Sequence, residues 1–175
     1  VGSEMCIRDS SGETSVGVDP HNVVRTMSRI VRSAEGTGEV PKLQHVPRTK
    51  RGVVAYSAKD IAQNLHARAI VTFTTSGDTA RRVARLRPDL PILVFTPHPQ
   101  VRSQLAVSWG AETFLCRDVH STDEMIEVVD EILLGMDRYD EGDTMVVVAG
   151  TPPGISGNTN TIHVHQLGED TRSPR

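Results

Sequence analysis

Hydrophobic positions along the chain follow two periods, and the change between them divides it. From Asn22 to Ala34, the residues Val23, Val24, Met27, Ile30 and Val31 recur at steps of three and four, which predicts one stripe of an amphipathic helix. Asp19 and Pro20 supply its start: a carboxylate to cap free N–H groups, then a proline suited to the first turn. The stretch 35–50 has no period, carries glycines, prolines and scattered charge, and reads as a linker. Beyond it, short apolar runs alternate with amphipathic ones. The pattern predicts helices over 51–66, Thr79–Arg87, Gln100–Trp109 and Thr122–Met136, the last with Met125, Val128, Val129 and Ile132 inward. It predicts strands at Ala69–Phe73, Ile92–Phe95, Glu112–Cys116, Thr144–Ala149 and Thr161–His165. Continuous apolar strands separated by helices imply βαβ units, hence an α/β fold with an open, mostly parallel sheet flanked by helices.

The first ten residues stand outside this pattern. VGSEMCIRDS begins at Val1, has no period, and lacks the apolar core of a signal peptide. Its central string, Glu4 to Asp9, resembles a translated sequencing-library adaptor. Residues 1–10 are therefore expected to be non-biological and are set aside, with a short tail as the alternative. On either reading the natural gene is expected to start upstream, where catalytic residues would then lie.

Composition narrows the partners. Lys and Arg number 19 against 22 Asp and Glu, a formal charge of -3, which gives no support for nucleic acid or an anionic membrane surface as a partner. No apolar run approaches the ~20 residues of a membrane helix. Two cysteines, Cys6 and Cys116, are too few for a disulfide framework and fit a reducing, cytoplasmic compartment. With aromatics at 3%, the core must be built from Val, Ile, Leu and Ala.

Two loops carry candidate chemistry. Thr74–Ala80 (TTSGDTA) joins a buried strand to a helix, so free backbone N–H groups and the positive end of the helix dipole converge there. Hydroxyls of Thr74, Ser76 and Thr79 are placed to donate to phosphate oxygens, and Gly77 allows close approach. Asp78 counts against an anion, though it would also serve as a helix cap. An ordinary βα turn with capping hydroxyls explains the same residues, and spacing alone does not choose. The second loop, Gly150–Asn160 (GTPPGISGNTN), follows the strongest strand. It is no dinucleotide fingerprint, because an alternating strand follows where a helix is required. It reads as a lid over the same ligand or as a plain hairpin connection.

Other residues carry less. His163 and His165 share one strand face but lack a third metal ligand, and a solvated edge face is expected. Arg81, Arg82, Arg85 and Arg87 form a basic cluster read as solvated surface, with one or two available to an anion or a subunit contact. Trp109 reads as packing or interface. Ser11–Gly17 reads as a helix-entry turn. No nucleophilic triad, Cys/His pair or paired-carboxylate set is present.

Taken together, SGETSVG with RTMSRIV, then TTSGDTARRVARLRP, then GTPPGISGNTNTIHV, resemble the pyruvate kinase family in that order from about Ser11 to Asp170, most closely its actinobacterial members. The resemblance implies a remnant of the catalytic TIM barrel over 11–35, ending in its last helix, a linker over 36–50, and the C-terminal regulatory α/β domain over 51–175. It implies that Thr74, Ser76, Gly77 and Thr79 hold an effector phosphate, and that Gly154, Ser156 and Gly157 belong to a loop closing over it. The Trp and Arg that grip a second phosphate in animal members have no counterpart near Thr122–Val129, which favours a sugar monophosphate over fructose 1,6-bisphosphate. Val18 stands where family members carry a nucleotide-contacting Lys, so no nucleotide contact is carried over. The family transfers a phosphoryl group from phosphoenolpyruvate to ADP with Mg²⁺ and K⁺, as a homotetramer. Its catalytic lysine and metal-binding carboxylates precede this stretch, so the chain alone is expected to be inactive and to bind neither metal. The alternative is a stand-alone phosphate-sensing module with no enzyme attached.

Overall fold

The structure, a computed structural model, describes residues 11–37, 47–154 and 157–169. The tail expected over 1–10 and most of the expected linker lie outside these residues. The chain divides into two compact units, one ending at Gln44 and the other beginning at His45.

In the first unit, residues 11–16 are already helical where a simple entry turn was expected. Helix α1 spans Pro20–Thr37. Asp19 caps it as its position predicts: the carboxylate accepts the Asn22 N–H at 3.1 Å. Within the apolar stripe, Val23 and Met27 are half-buried while Val24, Ile30 and Val31 are exposed.

The second unit runs α2 (Lys50–Asn64), β1 (Ala69–Phe73), α3 (Asp78–Arg85), β2 (Ile92–Thr96), α4 (Pro99–Leu105), β3 (Ala111–Leu115), α5 (Thr122–Leu134), β4 (Thr144–Gly150) and β5 (Thr159–Gln166). Helix α4 stops well before the expected Trp109. The Ser108 N–H turns back to Leu105 O and the Ala111 N–H to Ser108 O, so the chain reverses in time for Ala111 to pair with Ile92.

The strands form one five-stranded sheet in the order β3-β2-β1-β4-β5. β1, β2, β3 and β4 are mutually parallel, and β5 runs antiparallel to β4. Every residue of β1 and β2 is buried, which is why their sequences are mostly apolar, with one buried threonine each, Thr72 and Thr96. One face, with Val71, Phe73, Leu93, Phe95, Met145 and Val147, packs with Met125, Val129 and Leu133 of α5. The other, with Ile70, Ile92, Val94, Val146 and Val148, packs with alanines and valines of α2 and α3 and with Leu105 of α4. Ala55, Ala58 and Ala62 of α2 are at most 1% exposed, flanked by the partly buried Val54, Tyr56 and Ile61. Each fully buried Val, Leu or Ile contributes about 1.5–3 kcal/mol.

This order places the site. The chain leaves β1 toward β2 on one side, while β4 joins β1 on the other, so the strand order reverses between β1 and β4. In open parallel sheets, ligands bind beyond the carboxyl ends of strands at such a reversal. The two loops singled out from the sequence leave β1 and β4 there.

The histidine pair departs from its expected solvated face. His165 is 1% exposed, and its Nε2 lies 2.7 Å from Asp130 of α5. Val164, the apolar residue between the two, is 45% exposed. Polarity along β5 is thus inverted, which a buried polar group tolerates when it has a partner.

Candidate phosphate-binding cleft

The turn after β1 is built by its own side chains. Thr74, nearly buried, accepts the Gly77 N–H on its hydroxyl oxygen at 2.8 Å, leaving its own hydrogen free to donate. Gly77 takes φ +81° and stands as the residue before the helix, a conformation that would strain any side chain. The cap of α3 is therefore Gly77, and Asp78 is the first helical residue rather than the cap. The first N–H groups of α3 are left open toward the strand ends. Thr79 and Thr159 share a hydrogen bond between hydroxyls at 2.7 Å, which ties the turn to the start of β5. One hydrogen suffices for that bond, so one of the two hydroxyls keeps a proton to give.

The loop after β4 is pinned at its base. The Thr151 N–H donates to Asn160 Oδ1 at 2.8 Å, and the side-chain amides of Asn158 and Asn160 both donate to Thr151 O. Gly150 is required at the crossing: a Cβ there would lie 2.5 Å from Asn158 O. Gly154 and Gly157 lie beyond this knot, and Ser156 lies outside the described residues.

Turn and loop enclose one cleft. Thr74, Ser76, Thr79, Gly154 and Gly157 all line it, over a floor that includes Phe73 and Phe95. It holds about 580 Å³, counting space open to solvent. The stacked rings of Phe73 and Phe95, 5.2 Å apart, make the floor apolar and stiff. Cys116 also lines the cleft, but burial pushes its thiol pKa up, so it stays protonated and is a poor nucleophile. Asp118, from the connection after β3, is a carboxylate on the same lining.

Charge at the turn is more favourable than Asp78 alone implies. Arg82 Nε donates to Asp78 Oδ2 at 2.8 Å, and Arg51 reaches the same oxygen at 3.4 Å. The hydrogen bond from Arg82 is the main cause holding the Asp78 carboxyl below its usual range, so it is an ionised and neutralised group. Arg81 Nη1 donates to Ser76 O at 3.0 Å and also reaches Gln104, so its charge meets no carboxylate in these contacts. Two members of the basic cluster thus belong to the turn. Arg87 instead lies over the Trp109 ring at 4.6 Å, which gives Trp109 a packing role.

Arg51 escaped the sequence reading because it lies 27 positions from Asp78. A signal existed: Lys50 and Arg51 open α2, whose first turn holds no acid, although a helix dipole disfavours cations at that end. His163 and His165 stay outside the cleft lining, and among the described residues no group of three or more His, Cys, Asp or Glu is placed to hold a metal ion. Nor is any helix, among the described residues, long and apolar enough to cross a membrane.

Comparison with known proteins supplies the family. Residues 53–165 match the model described as pyruvate kinase, alpha/beta domain. The chain is 70% identical over 165 residues to a pyruvate kinase of Corynebacterium efficiens, covering 94% of this chain and 35% of the relative. It is 57% identical over 161 residues to a pyruvate kinase of Mycobacterium tuberculosis (91% and 34%) and 32% identical over 166 residues to one of Staphylococcus aureus (91% and 28%). The chain therefore spans about a third of the length of these relatives.

Proposed function

The chain belongs to the pyruvate kinase alpha/beta domain family, and from that premise we propose that it is the C-terminal part of a cytoplasmic, homotetrameric pyruvate kinase whose cleft binds an allosteric sugar phosphate. On this reading residues 11–35 are the end of the catalytic barrel, 36–50 a linker, and 51–175 the regulatory domain. The observation that carries the effector role is the meeting of the 74–79 turn with Gly150, Pro153, Gly154 and Gly157 over one cleft at the strand-order reversal. The turn offers hydroxyl hydrogens and open helix N–H groups to a phosphoryl group. The apolar floor suits a carbon skeleton. A monophosphate fits better than a bisphosphate, because Asp118 would face a second phosphoryl group with like charge.

The parent reaction moves a phosphoryl group from phosphoenolpyruvate to ADP, chemistry that rests on positioning and on electrostatic stabilisation of the transferred group. Among the described residues no group of three or more His, Cys, Asp or Glu is placed to hold a metal ion, and no step of this chain is routed through one. The role of this part is to shift an equilibrium between subunit arrangements when the effector binds better to one of them. The pure 175-residue chain forms no pyruvate from phosphoenolpyruvate and ADP in a coupled spectrophotometric assay; turnover by it would refute the division of labour.

Isothermal titration of the chain with glucose 6-phosphate, fructose 1,6-bisphosphate and AMP tests the site. Binding of the monophosphate sugar, lost in a Thr74→Ala/Ser76→Ala double variant that keeps its circular dichroism, supports it. Absence of any binding at millimolar ligand refutes it.

A further inference from the structure

We infer that Asp118 is a specificity-determining residue of this cleft: its carboxylate accepts hydrogen bonds from hydroxyl groups at the end of the ligand remote from the phosphate. The ligand class is then a phosphate monoester whose far end donates hydrogen bonds and carries no second anion. This rests on the phosphate-site reading above and adds to it what the other end of the ligand must be.

The cleft is long because it crosses three strand ends. Its lining runs from Thr74, Ser76 and Thr79 after β1, past Phe95 of β2 and Pro97 just beyond it, to Asp118 after β3. Those strands are neighbours in the order β3-β2-β1. The rings of Phe73, Phe95 and Phe114 mark the steps between them, each pair of centroids 5.2 Å apart. Two steps separate the turn from the connection after β3, about 10 Å by ordinary strand spacing. Inorganic phosphate held at the turn cannot reach that far. A phosphorylated sugar can, with its carbon skeleton lying over the apolar floor between.

The two ends of the cleft have opposite chemistry. At the turn, Thr74 keeps a hydroxyl hydrogen to donate. At the far end, Asp118 is the one carboxylate on the lining, and no Arg, Lys or His joins it there. Its neighbour Arg117 pairs instead with Glu127 and Glu131 of α5, at 3.6 and 4.0 Å. Asp78, by contrast, is held by Arg82 and Arg51. The charge of Asp118 acts into the cleft: after burial, it is the next cause that raises the Cys116 thiol. An ionised carboxylate has two accepting oxygens and no hydrogen, so it meets adjacent hydroxyls well and a phosphoryl group badly.

The test is isothermal titration of the full chain with glucose 6-phosphate, fructose 1,6-bisphosphate and inorganic phosphate, in the unaltered protein, Asp118→Asn and Asp118→Lys. The unaltered chain is expected to prefer the monophosphate sugar. Asp118→Asn is expected to weaken that sugar about 10-fold, as for loss of a charge-assisted hydrogen bond, and to tighten the bisphosphate several-fold. Asp118→Lys is expected to invert the preference. Inorganic phosphate should change by less than about twofold in Asp118→Asn, because a charge about 10 Å away is largely screened at physiological salt. A residue that only shapes the fold would move all three ligands in one direction, and that result overturns the inference. A preference of the unaltered chain for the bisphosphate overturns it too. If the unaltered chain binds glucose 6-phosphate and Asp118→Asn binds both sugars equally well as before, the inference falls while the site reading stands. If the unaltered chain binds none of the three, both fall.

Discussion

The turn after β1 and the loop after β4 face each other across one cleft, yet they are held in different ways. The turn is fixed along its length: Thr74 holds Gly77, Arg81 holds Ser76, Arg82 holds Asp78, and Thr79 is tied to Thr159. The loop is fixed at its root, where Asn158 and Asn160 close on Thr151. A receptor for an anion needs donors already in place, because ordering them on binding costs affinity. A cover has to admit the ligand first. On the proposed reading the turn recognises the anion and the loop covers it.

Phe95→Ala should break the comparison most severely, since the floor beneath the cleft disappears. Phe95 is fully buried and stacks on Phe73 and Phe114, so about 3–5 kcal/mol of stability is expected to go, measured by urea denaturation. Thr74→Ala should act on the turn alone. It leaves the Gly77 N–H without its partner, at about 1–2 kcal/mol, and removes most sugar phosphate affinity in the same protein. Asn160→Ala should act on the loop alone. Loss of its bonds to Thr151 is expected to cost about 1 kcal/mol and to speed ligand release in stopped-flow measurements, with little change in the rate of binding. Equal effects of the turn and loop variants on release would erase the distinction.

The smallest effect is in acid. Because the Asp78 carboxyl titrates below the usual aspartate range in the folded chain, its contribution is complete above that range. It is lost as pH falls through the folded value. The stability gap between the unaltered chain and Asp78→Asn should therefore be constant near neutrality and close in the acid range. A gap that widened in acid would reverse the sign assigned to this pair.

How much of this could be read from residues depends on how local the cause is. β1 is legible to the residue because all five positions of Ala69–Phe73 are buried, so polarity marks both ends. The end of α4 is not, since Trp109 continues an apolar period while the pairing of Ala111 with Ile92 dictates where the chain must turn. The turn and loop were visible as glycine- and hydroxyl-rich junctions, and the structure brings Thr74, Ser76, Thr79, Gly154 and Gly157 to one cleft. His165 was misread because its partner, Asp130, lies 35 positions away on another element. Arg51 was missed for the same reason. Long-range side-chain contacts decide both, and no period records them.

Amide NMR of the labelled chain during titration with glucose 6-phosphate tests the central claim most directly. The account predicts progressive shifts at Thr74 to Thr79, Gly154 and Gly157, with the resonances of α1 unmoved. Shifts confined to other surfaces, or none at millimolar ligand, would contradict it.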